Sequence, residues 1–135
     1  MKPTASIAGL RLLLVEDEAL VAMMLEDQLA DLGCVVVGVA ANVAEGLAVI
    51  EDHAPELDGA VLDINLGGEK VYPVAEELAG RGIPFIFSTG YGRAGIEPDF
   101  AQTPMLAKPY GQGALAQMLS DVVGRPATPG GAGSS

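Results

Sequence analysis

At 135 residues, half of them hydrophobic and 19% charged, the chain has the size and make-up of one globular domain with its own core. Its 18 acids and 7 bases give a formal charge of −11, which argues against nucleic acid or an anionic membrane as direct partners and leaves a cation or a basic protein surface. The single cysteine, Cys34, rules out an internal disulfide and a cysteine zinc cluster, and no apolar run reaches the roughly 18 residues of a membrane span.

Met1 to Gly9 forms a short arm without a signal-peptide pattern, so the expected location is the cytoplasm. Arg11 to Val15 (RLLLV) is then continuous apolar sequence after one Arg, the pattern of a strand covered on both faces. It stops abruptly at Glu16, Asp17 and Glu18. From there the period changes. Leu20, Val21, Met24, Leu25, Leu29 and Leu32 recur every three or four residues and predict one buried face of a helix. Met23, Met24 and Met118, also at helical spacing, read as core. Gly33 sits where a left-handed helix C′ residue belongs. Cys34 to Val39 predicts a second strand. Asn42 is placed to cap a helix carrying Val43, Leu47 and Ile50, which Pro55 closes. Ala60 to Leu62 predicts a third strand ending at Asp63, followed by the loop NLGGEK. Val71, Val74, Ala75 and Leu78 predict another helix, ended by Gly80 and Gly82. Ile83 to Phe87 and Met105 to Ala107 predict strands four and five, and Leu115, Met118, Leu119 and Val122 a last helix. Between those strands, Gly90, Gly92, Gly95 and Pro98 disfavour a helix, so any helix there is expected to be short or mobile. The end, 125–135, reads as a Pro/Gly/Ser tail with nothing to bury.

Strands that alternate with helices predict a parallel sheet with helices on both faces. The C-terminal strand ends of such a sheet share one edge, where ligands bind in open α/β folds. Glu16-Asp17, Asp63, Ser88-Thr89 and Lys108 all stand at strand ends, so three carboxylates, a hydroxyl and an ammonium are expected to converge. Two carboxylates about 4 Å apart repel by on the order of 4 kcal/mol at an effective dielectric near 20. A counter-cation relieves this, and an all-oxygen donor set suits a hard ion, Mg²⁺ with Mn²⁺ as substitute, over Zn²⁺. A carboxylate beside such an ion is placed to attack phosphorus.

Together these residues resemble the receiver domain of two-component response regulators, over Leu10 to Gly124. The resemblance implies a flavodoxin-like fold: one doubly wound five-stranded parallel sheet, order 2-1-3-4-5, flanked by five helices. It implies Asp63 as phosphoacceptor. Glu16, Asp17 and Asp63, with the backbone carbonyl of Asn65, would hold the metal. Thr89 would bond a phosphoryl oxygen, Lys108 would pair with the phosphoryl group, and the Lys108–Pro109 peptide would be cis. PFIFSTGYG, with Phe87-Ser88-Thr89-Gly90-Tyr91, DINLGGEKVYPVAEEL and KPY further resemble the FATGUY-type receivers. Two positions depart from the ordinary receiver: Met105 replaces the switch aromatic and Gly67 replaces a Pro. Tyr91, Met105 at the switch position, or the Gly90–Pro104 segment itself, is then expected to carry the switch.

The expected function is that of a stand-alone receiver. It would take a phosphoryl group from a sensor histidine kinase or phosphotransfer protein, and act through a downstream protein target or as a phosphate sink. Its only chemistry would be Mg²⁺-dependent phosphorylation and dephosphorylation of its own Asp63; monomer and weak dimer both stay open. Two alternatives remain: an interaction module that keeps the fold without phosphorylation, and an aspartate-nucleophile phosphatase, although the latter's Asp-x-Asp is here Asp63-Ile64-Asn65. Glu18 reads as a helix-start residue favoured by the dipole, and His53 as a surface residue. Gly67-Gly68 is no phosphate-binding Walker loop, since no Gly-Lys-Ser/Thr follows.

Overall fold

The computed structural model describes residues 7–90 and 96–124. Most of the arm, the tail and Tyr91 therefore lie outside the described residues.

β1 (Arg11–Val15) is an interior strand, its apolar side chains covered on both faces. β2 (Val35–Ala40) lies on one side of it and β3 (Gly59–Asp63) on the other. β6 (Phe85–Thr89) and β7 (Met105–Ala107) extend the sheet beyond β3. All pairs are parallel, and the order β2-β1-β3-β6-β7 is the expected 2-1-3-4-5 once a small separate hairpin is set aside. Alternate residues of β1 serve opposite layers. Leu12 and Leu14 pack with Leu25 and Leu29 of α1 (Ala19–Asp31) and Leu115 and Leu119 of α4 (Gln112–Val122). Leu13 and Val15 pack with Ile50 of α2 (Val43–His53) and Val74 and Leu78 of α3 (Tyr72–Gly80). Each fully buried leucine contributes roughly 1.5–3 kcal/mol. No helix among the described residues is long and apolar enough to cross a membrane.

The local signals for helix ends hold. Asn42 Oδ1 accepts from Glu45 N at 2.9 Å, and Gly33 adopts φ 87° while Cys34 N reaches back to Leu29 O at 2.9 Å, the closure that ends a helix with a left-handed residue. α2 gives way at Ala54 to a single 3₁₀ turn, Ala54–Glu56, with Pro55 inside it.

Four expectations are corrected. The described residues form four α-helices, not five: between β6 and β7 they hold only a 3₁₀ turn, Pro98–Phe100, consistent with the glycines and prolines of that stretch. NLGGEK is not an open loop. Asn65–Leu66 (β4) pairs antiparallel with Glu69–Lys70 (β5) around Gly67 (φ 61°) and Gly68 (φ 98°), the two positive φ values that a tight hairpin turn of matching twist requires. The fourth large strand starts and ends two residues later than expected, so Ser88 and Thr89 sit inside the ladder, opposite Leu106 and Ala107. On α1, Leu20, Met23 and Met24 are 75%, 58% and 65% exposed. Ala22, Leu25 and Leu29 supply the buried stripe instead; six apolar positions covered more of the helix circumference than one sheet face can accept.

Gly59 opens β3 where α4 ends. A Cβ there would lie 2.6 Å and 2.8 Å from the Val123 methyls and 3.1 Å from Pro84 O. Gly59→Ala should therefore destabilise the fold by about 1–3 kcal/mol, read as a lower urea midpoint. An unchanged midpoint would mean that the end of α4 yields freely.

Candidate functional site

The C-terminal edge of the sheet is built strand by strand. Glu16 N donates to Ala40 O at 2.9 Å, which carries the ladder one residue past β1. The Glu16 side chain is thereby turned inward, and the residue is 3% exposed. Its Oε2 accepts from Glu18 N at 3.2 Å, and Glu18 itself takes the extended N-cap position of α1. Asp17, between them, is exposed.

Asp63 ends β3 opposite Ser88 and is also buried. Its Oδ1 accepts from Asn65 N at 3.1 Å, and its Oδ2 from Lys108 Nζ at 3.1 Å. Lys108 follows β7 and is fixed by its own N–H, which donates to Thr89 O at 2.8 Å. Its ammonium also reaches Glu16 Oε1 at 2.8 Å, so one cation lies between two buried carboxylates. Thr89 is buried at the end of β6, and the Lys108–Pro109 peptide is cis.

The electrostatics follow from this geometry. Burial, aided by Glu16, pushes the Asp63 carboxyl up to about 6, against the pull of Lys108. Burial alone would lower the Lys108 ammonium, but its bonds to Glu16 and Asp63 raise it above the ordinary lysine value. Burial raises the Tyr110 phenol nearby. Glu16, Asp17 and Asp63 each offer a carboxylate oxygen, all within 4.8 Å of one another. The donors are all oxygen, with no His or Cys among them, which fits a hard divalent cation.

These groups face an open cavity of about 800 Å³ that Asp17, Asp63, Asn65, Thr89 and Lys108 help to line. Every strand-end residue expected from the sequence is thus at one edge. Met105 is further back on β7, half-buried opposite Phe87. His53 lies at the far end of α2, with its Nδ1 3.6 Å from Glu56 Oε1.

Among the lining residues that were not expected are Lys70 and Tyr72. Lys70 donates to Asn65 Oδ1. Tyr72 stacks on Phe100 with centroids 5.3 Å apart, meets Phe87 edge-on, and its hydroxyl oxygen accepts from Glu97 N at 3.3 Å. The Gly67-Gly68 pair was the available signal for Lys70, since it folds the chain back toward Asn65. Nothing in the local pattern singled out Tyr72.

A family model described as the response regulator receiver domain matches residues 12–120. The solution structure of SdrG from Sphingomonas melonis Fr1 is 46% identical, covering 82% of this chain and 93% of that one, with a TM-score of 0.72. SdrG, there given as from Pseudomonas melonis Fr1, has also been solved in a BeF3-activated conformation, at 47% identity, 83% and 94% coverage and TM-score 0.70. The response regulator PhyR from Brucella abortus is 29% identical, over 86% of this chain and 48% of that one, with TM-score 0.73. Transcriptional regulatory protein PdtaR of Mycobacterium tuberculosis is 28% identical over 119 residues, 85% of this chain. The match spans 57% of the length of PdtaR.

Proposed function

Since this chain belongs to the response regulator receiver domain family, we propose that it takes a phosphoryl group from a phosphohistidine onto Asp63 and signals by protein contact or drains its donor. Receiver domains bind Mg²⁺ at an acidic pocket, interact with histidine kinases and downstream proteins, and are generally non-catalytic. The observation that carries the reading is the Asp63 carboxylate, buried at the sheet edge, 3.1 Å from Lys108 Nζ and grouped with Glu16 and Asp17. The BeF3-activated conformation of SdrG supports it, because beryllofluoride on a carboxylate has the shape of a phosphoryl group.

Glu16, Asp17 and Asp63, with the Asn65 carbonyl, would hold Mg²⁺, or Mn²⁺ in its place. When bound, the ion supplies charge neutralisation for the transferring phosphoryl oxygens. The chain does the rest. An Asp63 carboxylate oxygen forms the new O–P bond as the N–P bond breaks, and the imidazole nitrogen keeps the bonding pair. Lys108 turns from carboxylate to phosphoryl oxygen, and the Thr89 hydroxyl bonds another. The adduct adds nearly two negative charges, and full switching takes roughly 5.5 kcal/mol of difference between the two states.

The segment from Ile96 to Phe100, with β7 and α4, is the surface that responds. Tyr72 supports this assignment, because it lines the cavity while stacking on Phe100. Met105 then acts as packing rather than as the switch. Tyr91, the other candidate, lies outside the described residues. The receiver occupies 10–124, with 1–9 as arm and 125–135 as tail. Phe87-Ser88-Thr89-Gly90 supports the FATGUY subclass, and an ATP-dependent kinase as donor implies the cytoplasm.

Intact mass after incubation with phosphoramidate, with and without Mg²⁺, tests the reading. One added phosphoryl group, only with Mg²⁺, is expected. A folded chain that takes no label from small donors or from a panel of sensor kinases would sink it.

A further inference from the structure

The β4–β5 hairpin is a fixed arm over the cavity. Its base is closed by Val71 N donating to Ile64 O at 3.0 Å, and Leu66 is buried beneath it. Glu69 Oε1 accepts from Val43 N at 3.0 Å, which ties the arm to the start of α2. At its tip, a Cβ on Gly67 would come within 3.3 Å of Asp17 Oδ2, so the turn abuts the acidic cluster itself. Asn65 and Lys70 are register partners on this arm. Asn65 N bonds Asp63 Oδ1, and Lys70 Nζ bonds Asn65 Oδ1.

Lys70 is therefore held at the rim, and among the described residues no carboxylate pairs with its charge. Lys108 is engaged by two carboxylates, whereas Lys70 is paired with a neutral amide. The other charged groups lining the cavity among the described residues are Asp17, Glu18, Asp63 and Lys108. A phosphoryl donor is an anion, and it approaches a chain of formal charge −11 past Asp17 and Glu18. Among the described residues, Lys70 is the exposed ammonium on that path. A lysine whose partner is an amide exchanges it for a phosphoryl oxygen with a gain in charge assistance.

We infer that Lys70 is a donor-binding residue: it captures the phosphoryl oxygens of the incoming anionic donor at the mouth of the cavity and sets the rate of transfer to Asp63. This rests on the reading of Asp63 as phosphoacceptor. Lys70 forms no covalent bond and leaves the chemistry of the step unchanged.

The test is the second-order rate of labelling by phosphoramidate and by acetyl phosphate at saturating Mg²⁺, in wild type, Lys70→Ala, Lys70→Glu and Lys70→Arg. Mg²⁺ affinity is measured in parallel by calorimetry. Lys70→Ala should lower the rate by about tenfold, the size of one charge-assisted hydrogen bond. Lys70→Glu should lower it further, Lys70→Arg should retain most of it, and the salt dependence of the rate should weaken in Lys70→Ala. Mg²⁺ affinity should stay within about twofold, since Lys70 is not among the three grouped acids. Equal rates in Lys70→Ala and wild type would overturn the inference and leave the Asp63 reading intact. So would a rate loss that only tracks lost Mg²⁺ affinity, the mark of a residue that merely braces Asn65. A wild type that takes no label would overturn both.

Discussion

Asp63→Asn should abolish phosphoryl transfer to the chain and, in the absence of metal, should make the protein more stable at neutral pH. The first effect follows from removing the nucleophilic oxygen, and labelling should fall to background. The second follows from burial. The folded carboxyl is raised to about 6 from an ordinary 3.8, first by burial and then by Glu16. Below about pH 4 it is protonated in both folded and unfolded chains, and its contribution to stability is fully present. As pH rises from 4 to 6 the unfolded chain ionises first and stability is lost; above 6 the loss is complete. Two pH units correspond to roughly 3 kcal/mol. The weaker bond of an amide to Lys108 leaves a gain on the order of 2 kcal/mol for Asp63→Asn at pH 7. Urea curves of both proteins from pH 4 to 7.5 in EDTA should converge at the acid end and separate at the neutral end. Retained labelling would remove Asp63 as the acceptor, and a less stable variant at pH 7 would show that Lys108 compensates the charge in full.

Lys108→Met has the opposite sign. It leaves Glu16 and Asp63 facing one another without the ammonium that bonds both at 2.8 and 3.1 Å. Breaking a buried pair by removing one partner costs about 3–5 kcal/mol. Lys108 retains some exposure, which places the expected loss near the lower end, about 3 kcal/mol at pH 7 without metal. Saturating Mg²⁺ should recover much of it, and so should acidification, because a protonated Asp63 no longer opposes Glu16. Some labelling should persist, with a weaker conformational response in the Ile96–Phe100 segment. Denaturation midpoints with and without Mg²⁺ decide the matter; a midpoint that ignores both the substitution and the ion would show that the pair carries no net energy.

Much of this site was legible before any coordinates because it depends on strand ends. Runs such as Leu12–Val15 and Ala60–Leu62 announce buried strands, and the first charge after each marks the edge. Parallel pairing then brings Glu16, Asp63, Thr89 and Lys108 together without any knowledge of side-chain contacts. The parts missed depend on shorter signals or on tertiary fit. A strand of two residues has no hydrophobic period, so the Asn65–Lys70 hairpin was visible only as Gly67-Gly68. The outward turn of Leu20 and Met24 follows from how α1 is rotated against the sheet, which periodicity alone leaves free over about a third of the helix circumference. Phe100 reached the core through one 3₁₀ turn after Pro98, in a stretch whose glycines argued against order.

The bond from Lys108 to Glu16 joins positions 92 apart in the chain, and its lysine follows β7, the last of the five sheet strands in chain order. A nascent chain that has emerged only through β6 carries the three acids and no Lys108 opposite them. Its pocket repels itself until β7 docks beside Thr89. The cation that joins Glu16 to Asp63 therefore arrives only with the completed sheet, and the acidic edge is settled last.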